Sequence, residues 1–146
     1  MSNRLAIPPF GLGDAEAEVI AAAQGADQQF HTEPASYAYQ VTLTADQDLP
    51  DQSQLFDGDS WFYWTEIYGS ATSTYKIQFR LPSGRWMSSA KINHANQVGT
   101  AQFPVFLDPL VKVRPNGRIG INIEDTSSAE NTVELIFGGY KIFAQQ

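Results

Sequence analysis

Residues 103–143 have the sequence FPVFLDPLVKVRPNGRIGINIEDTSSAENTVELIFGGYKIF. Two runs in this stretch alternate apolar side chains with mainly polar ones or glycine: Ile119, Ile121 and Ile123, then Val133, Leu135 and Phe137. A period of two is typical of strands that bury one face in a core. The polar segment 125–131 between the runs is short enough to return the chain antiparallel, so we expect a β-hairpin on the floor of a β-sandwich.

Strand patterns of the same kind extend upstream. Residues 37–44, 61–68, 75–81 and 85–92 are predicted strands, whereas the polar residues 45–53 are predicted to form a loop. The segment WFYWTEIY (61–68) is apolar on both faces, which indicates either a central strand covered twice or one with a face at an interface. The predicted fold class is all-β: an antiparallel β-sandwich or jelly roll of about seven to nine strands.

Proline and glycine positions refine this prediction. Pro104 and Pro109 lie inside an apolar run and indicate an edge strand or a bend, because proline donates no ladder hydrogen bond. Asn116 and Gly117 form the strongest hairpin-turn signal in the chain. A bulge at residues 138–139 would shift the register of the last strand, so that Tyr140 and Ile142 face inward and Lys141 faces out.

The N-terminal residues 1–30 are predicted to be an extended arm and one short helix, ahead of a β-sandwich domain over 31–146. The arm has apolar side chains among prolines and glycines: Leu5, Ile7, Phe10 and Leu12. The helix begins after Asp14, a candidate N-cap, and ends at Gly25. The arm is expected to pack either on its own domain or on a neighbouring subunit.

Composition excludes several functional classes. The 146 residues have a net charge of −7 without a basic run, so no electrostatic footprint for direct nucleic-acid binding is present. Cysteine is absent, which rules out disulfides and cysteine-ligated metals. No apolar run approaches the roughly 20 residues of a membrane-spanning helix, and the N-terminus lacks the features of a signal peptide. We therefore expect no membrane association and no ordinary secretory export.

Catalytic and metal-binding motifs are not apparent. His31 and His94 lie in separate polar segments without a second ligand at metal spacing or a nucleophile motif, and loop positions are expected for both. The acidic clusters at 46–51, 57–59 and 124–125 lack the spaced oxygen ligands of a calcium loop and are expected to serve turns and caps. No cofactor, metal ion or enzymatic activity is predicted.

The aromatic residues are the strongest candidates for a binding surface. Indole and phenol rings stack on sugars and anchor protein interfaces, and with 12% aromatic residues some are expected outside the core. Core packing and surface exposure both remain open for each of them. The candidates for an interface or ligand platform are Trp61, Tyr63, Trp64 and Trp86.

The segment YKIQFRLPSGRWMSSAKIN (75–93), together with residues 103–143, resembles a pattern found in small structural proteins of tailed bacteriophages, of the capsid-associated or decoration type. The shared features are a strand ending in a Ser-Gly-Arg turn, a proline-flanked segment before a Gly-Arg-Ile strand, a connection with serine and asparagine, and a last strand with glycine and a basic-aromatic ending. The resemblance covers about half of the chain and leaves out residues 1–30.

The resemblance implies a non-enzymatic virion component that is assembled in the host cytoplasm. Its partners would be the major capsid protein or collar and tail proteins, and it would form homo-oligomers. Capsid, collar and tail locations all remain open. The alternative hypothesis is a carbohydrate-binding β-sandwich that uses surface tryptophans.

Overall fold

The computed structural model describes residues 30–144. The predicted arm and helix therefore lie outside the described residues. The described residues form eight strands: β1 (Phe30–Leu43), β2 (Asp48–Leu55), β3 (Trp61–Ala71), β4 (Tyr75–Arg80), β5 (Ile92–Asn93), β6 (Val105–Val113), β7 (Arg118–Asp125) and β8 (Asn131–Ala144). A 3-10 turn, His94–Asn96, follows β5. Within 30–144 no helix is long and apolar enough to cross a membrane.

The strands form two antiparallel four-stranded sheets, which confirms the predicted all-β class and is consistent with a β-sandwich. Sheet A has the order β1-β8-β3-β6 and sheet B has the order β2-β7-β4-β5. β3 is an interior strand, in agreement with its apolar residues on both faces. The predicted loop over 45–53 is wrong in its second half, because β2 starts at Asp48 and pairs with β7 across a register shift between Leu49 and Gln52.

Of the seven connections between the described strands, six cross from one sheet to the other, and only β4 and β5 are joined within a sheet. The predicted β7–β8 hairpin is therefore wrong: β7 pairs with β2 and β4, while β8 pairs with β1 and β3. The Asn116-Gly117 turn exists, with Asn116 at φ 62° and the Gly117 N–H bonded to Arg114 O at 2.9 Å. It joins strands of different sheets, because each flanking strand finds its hydrogen-bond partners elsewhere in the sequence.

The core lies between the sheets and is centred on three aromatic rings. Trp64 of β3 lies 5.6 Å from Phe79 of sheet B and 5.1 Å from Phe137 of β8, between ring centroids. Phe79 and Phe137 are themselves 5.8 Å apart in an edge-to-face arrangement. All three side chains are fully buried, and contacts of this geometry add to the free energy of burial.

The β-bulge of sheet A lies in β3 rather than in β8. Trp64 pairs with Gly139 and Glu66 pairs with Gly138, so Thr65 is the extra residue. The bulge places Ile67 on the core face with Trp64, and the Glu66 carbonyl accepts the buried indole N–H at 2.8 Å. A Cβ on Gly139 would lie 1.9 Å from the Tyr63 carbonyl oxygen, so a glycine lets the two strands approach there.

Because β8 pairs with β1 in one uninterrupted register, the predicted inward orientation of Tyr140 and Ile142 is wrong. These two residues lie on the outer face of sheet A, and Lys141 lies on the same face as Phe137, at the end of the sandwich. There Lys141 Nζ donates to Asp57 Oδ2 at 2.6 Å. This hydrogen bond is the main reason why the pKa of Asp57 lies below its ordinary value.

A buried carboxylate organises the crossing from β7 to β8. Asp125 accepts hydrogen bonds from the Ser127 hydroxyl at 2.6 Å, from the backbone N–H groups of Asp46, Ser127 and Ser128, and from the Asn131 amide. The Ser127 hydroxyl bond is the largest of the effects that hold the pKa of Asp125 well below its ordinary value. The turn is thus tied to the β1–β2 connection through Asp46.

Trp64→Ala is expected to lower the free energy of unfolding by about 3–5 kcal/mol, because it removes the ring that joins the two sheets. Trp61→Ala, three positions earlier in β3 and 45% exposed, is the matched control and is expected to cost less than about 1 kcal/mol. Urea unfolding followed by tryptophan fluorescence measures both free energies of unfolding. Similar losses in the two variants would contradict the assignment of Trp64 as the ring that joins the sheets.

Asp125→Asn is expected to destabilise the protein at about pH 7, and the difference from wild type is expected to shrink as the pH falls below about 4. The reason is that the folded-state pKa is depressed, so the stabilisation is complete above the unfolded-state pKa and is lost as the pH falls towards the folded value. Urea unfolding at about pH 7 and about pH 3 measures the difference in free energy of unfolding between the variant and wild type. Glu130→Gln, in the same turn, is the control. A difference in stability between wild type and Asp125→Asn that does not depend on pH would contradict the role given to the Asp125 carboxylate.

Candidate interaction surface

The four aromatic residues predicted as an interface or ligand platform lie in three separate places. Trp64 is a core residue, so its assignment to a platform is corrected. Tyr63 is 9% exposed on the outer face of sheet A. Trp61 and Trp86 are 45% and 40% exposed, but Trp61 belongs to β3 of sheet A and Trp86 is bridged to Arg80 of β4 in sheet B. The structure therefore brings no coplanar pair of exposed tryptophans together.

A small apolar cluster on the outer face of sheet A accounts for the second apolar side of β3. Tyr63, Leu110 and Ile142 are nearly buried there, and Tyr140 packs against them. The Lys112 ammonium lies 5.6 Å from the centre of the Tyr63 ring. The cluster is separate from the core between the sheets, and the register of β8 brings Ile142 to it.

The two histidines are in unrelated surroundings. His31 Nε2 is 2.7 Å from Glu33 Oε2 on the exposed edge strand β1. The His94 ring stacks on Tyr75 at 4.5 Å, and partial burial lowers the pKa of His94. His94 and Glu134 line a common groove of about 680 Å³. Among residues 30–144, no three His, Cys, Asp or Glu side chains are grouped so that they could hold a metal ion.

One side of the sandwich is less completely covered than the other. β1 and β2 are joined by a short turn and close one side, whereas β6 is the opposite edge of sheet A and faces residues 85–93 at the edge of sheet B. We call this second side, from residues 85–93 to residues 103–113, the open side. The pairing of its edge strand β6 with β3 is interrupted. Trp64 and Glu66 of β3 are two residues apart, whereas their partners in β6, Val111 and Phe106, are five residues apart.

Exposed apolar side chains are concentrated on the open side. Of the six large hydrophobic residues that are exposed among those described, four lie there: Trp86, Phe103, Val105 and Phe106. Phe103 is the most exposed, at 72%. The other two, Leu55 and Trp61, lie elsewhere. Scattered single apolar side chains are normal on a protein surface, but a group on one side is typical of an interaction site.

The shape of the open side also favours a partner. A groove of about 780 Å³ runs between residues 81–87 and β6, and Trp86, Phe106 and Pro109 line it. A smaller gap of about 260 Å³ reaches between the sheets to Trp64 and Phe79. Gln97 also lines this gap, and its buried Oε1 accepts no hydrogen bond in the structure. A buried acceptor without a donor is costly, which makes this gap a place where an added donor would stabilise the protein.

The sequence contained part of the signal for this surface. Pro104 and Pro109 predicted an edge strand, and β6 is the edge of sheet A. Alternation alone did not show that Val105 and Phe106 are both exposed. That depends on the irregular pairing of β6 with β3, which involves residues distant in sequence.

Comparisons with known proteins identify no family for this chain. No family model matches it, and no curated protein matches it significantly. One solved structure, from a study entitled "Bacillus endospore appendages form a novel family of disulfide-linked pili", aligns with 83% of this chain and 95% of its own, at 13% identity and a TM-score of 0.38. A similarity at this level carries no argument about function or assembly.

Proposed function

We propose that this protein is a non-enzymatic structural subunit that acts through protein–protein contacts and forms homo-oligomers. The observation that carries the proposal is the open side, where the exposed Trp86 and Phe106 line one groove and the exposed Phe103 and Val105 directly precede Phe106 in the chain. Burying apolar surface contributes about 25 cal/mol per Å², so covering these side chains would favour association. Large aromatic side chains are also the residue types that most often dominate binding energy at interfaces.

The partner on this side is proposed to dock through side chains rather than by adding a long strand. β6 pairs with β3 in two short runs, at residues 105–106 and 111–113, with residues 107–110 between them. An interrupted edge of this kind discourages continuous edge-to-edge pairing. The groove beside β6 and the exposed rings along it instead suit an apolar segment with spaced anchors.

The occupant that we propose is the N-terminal arm of a neighbouring copy, with Leu5, Ile7, Phe10 and Leu12 as its anchors. Residues 1–29 precede β1, which is the edge of sheet A opposite to β6. An arm that leaves from the far edge is well placed to reach the open side of the next subunit. Contacts of this head-to-tail type generate closed rings or open filaments.

The setting that we propose is the particle of a tailed bacteriophage, on its capsid, collar or tail. This rests on the resemblance of residues 75–93 and 103–143 to phage structural proteins. We also propose that the sandwich is a jelly roll, which the strand orders β1-β8-β3-β6 and β2-β7-β4-β5 support. Immunogold labelling of purified particles from a lysed host culture tests the setting. Labelled particles would support it, and label confined to the soluble fraction would oppose it.

The alternative function, carbohydrate binding on a platform of surface tryptophans, has weaker geometric support. Trp64 is in the core, and the two exposed tryptophans belong to different sheets. A shared platform for one sugar chain would need Trp61 and Trp86 on the same face.

Phe106→Ser, combined with Phe103→Ser, is expected to weaken self-association at least about fivefold, because both rings are proposed anchors for the arm of the next subunit. Sedimentation velocity over a range of protein concentrations measures the change. The far-ultraviolet circular dichroism spectrum is expected to stay unchanged, since both side chains are exposed.

The matched control for this experiment is Leu55→Ser. Leu55 is 47% exposed in β2, away from the open side, and its replacement is expected to leave self-association unaltered. Equal weakening by the control, or unchanged association of the double variant, would remove the open side from the interface.

A further inference from the structure

A further groove, of about 640 Å³, lies on the outer face of sheet B and is positively charged. Its lining includes Arg80, Arg114 and Arg118, and the only acidic residue among its described lining residues is Asp51. Three arginines and one aspartate give the lining a formal charge of +2, although the whole chain carries −7 from 9 basic and 16 acidic residues. A positive groove on an acidic protein concentrates anions at one place.

The floor of this arginine groove is formed by β7 at Gly120. Gly120 lies opposite Ser53 of β2 and Arg80 of β4 in the sheet register. A Cβ on Gly120 would lie 2.9 Å from the Cβ of Arg80, which is closer than side chains normally approach. The glycine therefore keeps the trough between the neighbouring strands open.

The arginines of the groove are not neutralised within the described part of the chain. Arg80 Nε donates to the Gly84 carbonyl at 3.2 Å, and its guanidinium lies 5.5 Å from the centre of the Trp86 ring. Arg118 donates to the Ser53 hydroxyl at 2.9 Å. Neither of them, nor Arg114, forms an ion pair with a described carboxylate.

Two lysines elsewhere in the chain, unlike these arginines, form ion pairs with carboxylates. Lys91 lies 2.8 and 2.9 Å from the carboxylates of Asp48 and Glu124, and Lys141 lies 2.6 Å from that of Asp57. Carboxylates are thus in excess in this chain and do pair with cations on its surface. The three arginines of the groove have no such carboxylate partner among the described residues.

The strand at the floor of the groove, β7, has no unpaired edge, so a ligand would contact side chains. β7 is hydrogen-bonded to β2 on one side and to β4 on the other, so an extended peptide has no strand edge to join there. The walls instead present guanidinium groups, the Ser53 hydroxyl, and the amides of Gln52 and Asn122. Trp86 stands at the rim. Hydroxyls, amides and an indole suit the hydroxyl groups and ring faces of sugars, and guanidinium groups suit carboxylates.

We propose that the arginine groove binds a saccharide chain that carries carboxylate groups, such as a polyuronate. Arg114 and Arg118 contact the carboxylates, and Trp86 packs on a sugar ring. The three arginines that carry this proposal do not line the groove beside β6 that contains Phe106, and the two proposed sites share Trp86.

Isothermal titration calorimetry on the full chain tests the proposal, with an oligogalacturonate as the ligand and its methyl ester as the uncharged control. Wild-type protein is expected to bind the oligogalacturonate, with affinity that falls as salt is added. The methyl ester is expected to bind at least about tenfold more weakly, as are Arg114→Gln and Arg118→Gln with the charged ligand.

Arg85→Gln is the matched control, because Arg85 is exposed and lines the open side rather than the arginine groove. It removes the same charge and is expected to change the affinity by less than about twofold. Several outcomes would overturn the proposal: no binding of the oligogalacturonate, an equal loss in the Arg85 variant, or equally tight binding of polyglutamate. The last of these would assign the groove to acidic peptides. Unchanged binding by the Phe103/Phe106 double variant would show that the two surfaces act separately.

Discussion

The contact of the Trp64 indole with the rings of Phe79 and Phe137 is the interaction on which the rest of the structure depends. It joins the interior strands of the two sheets, and nearly every connection between the described strands crosses from one sheet to the other. A strand therefore finds its hydrogen-bond partners among residues distant in sequence, and the shared core holds these distant segments in register. The β-bulge at Thr65 supports the same contact, because it supplies the carbonyl that accepts the indole N–H.

Alternation of apolar residues predicted the strands of the last third of the chain well, because one face of each strand packs against the apolar core. It did not predict which strands are neighbours. The turns at Asn116-Gly117 and at 125–131 have compositions that also suit hairpins, and only the pairing of the flanking strands with distant partners shows that both turns cross between sheets. β2 was missed because its residues are mostly polar, and its place is set by pairing with β7.

The candidate surfaces were predicted less completely than the fold. Aromatic composition alone placed Trp64 and Trp86 in one group, whereas the register of β3 sends Trp64 inward and Trp86 lies beside the other sheet. The arginines of the groove are spread over the sequence at positions 80, 114 and 118, and they meet only because β4, the β6–β7 turn and β7 converge around Gly120. A linear motif search has no means of finding such a group.

The surfaces of the molecule differ in chemistry in a way that suits an assembling subunit. The β1–β2 side is closed, the open side is apolar, and the outer face of sheet B carries a positive groove. Light scattering of the full chain and of a chain lacking residues 1–13 tests the central claim most directly. The account predicts a multimer that dissociates to monomers when the arm is removed. A full-length chain that remains monomeric at all concentrations, or a multimer unaffected by the deletion, would contradict it.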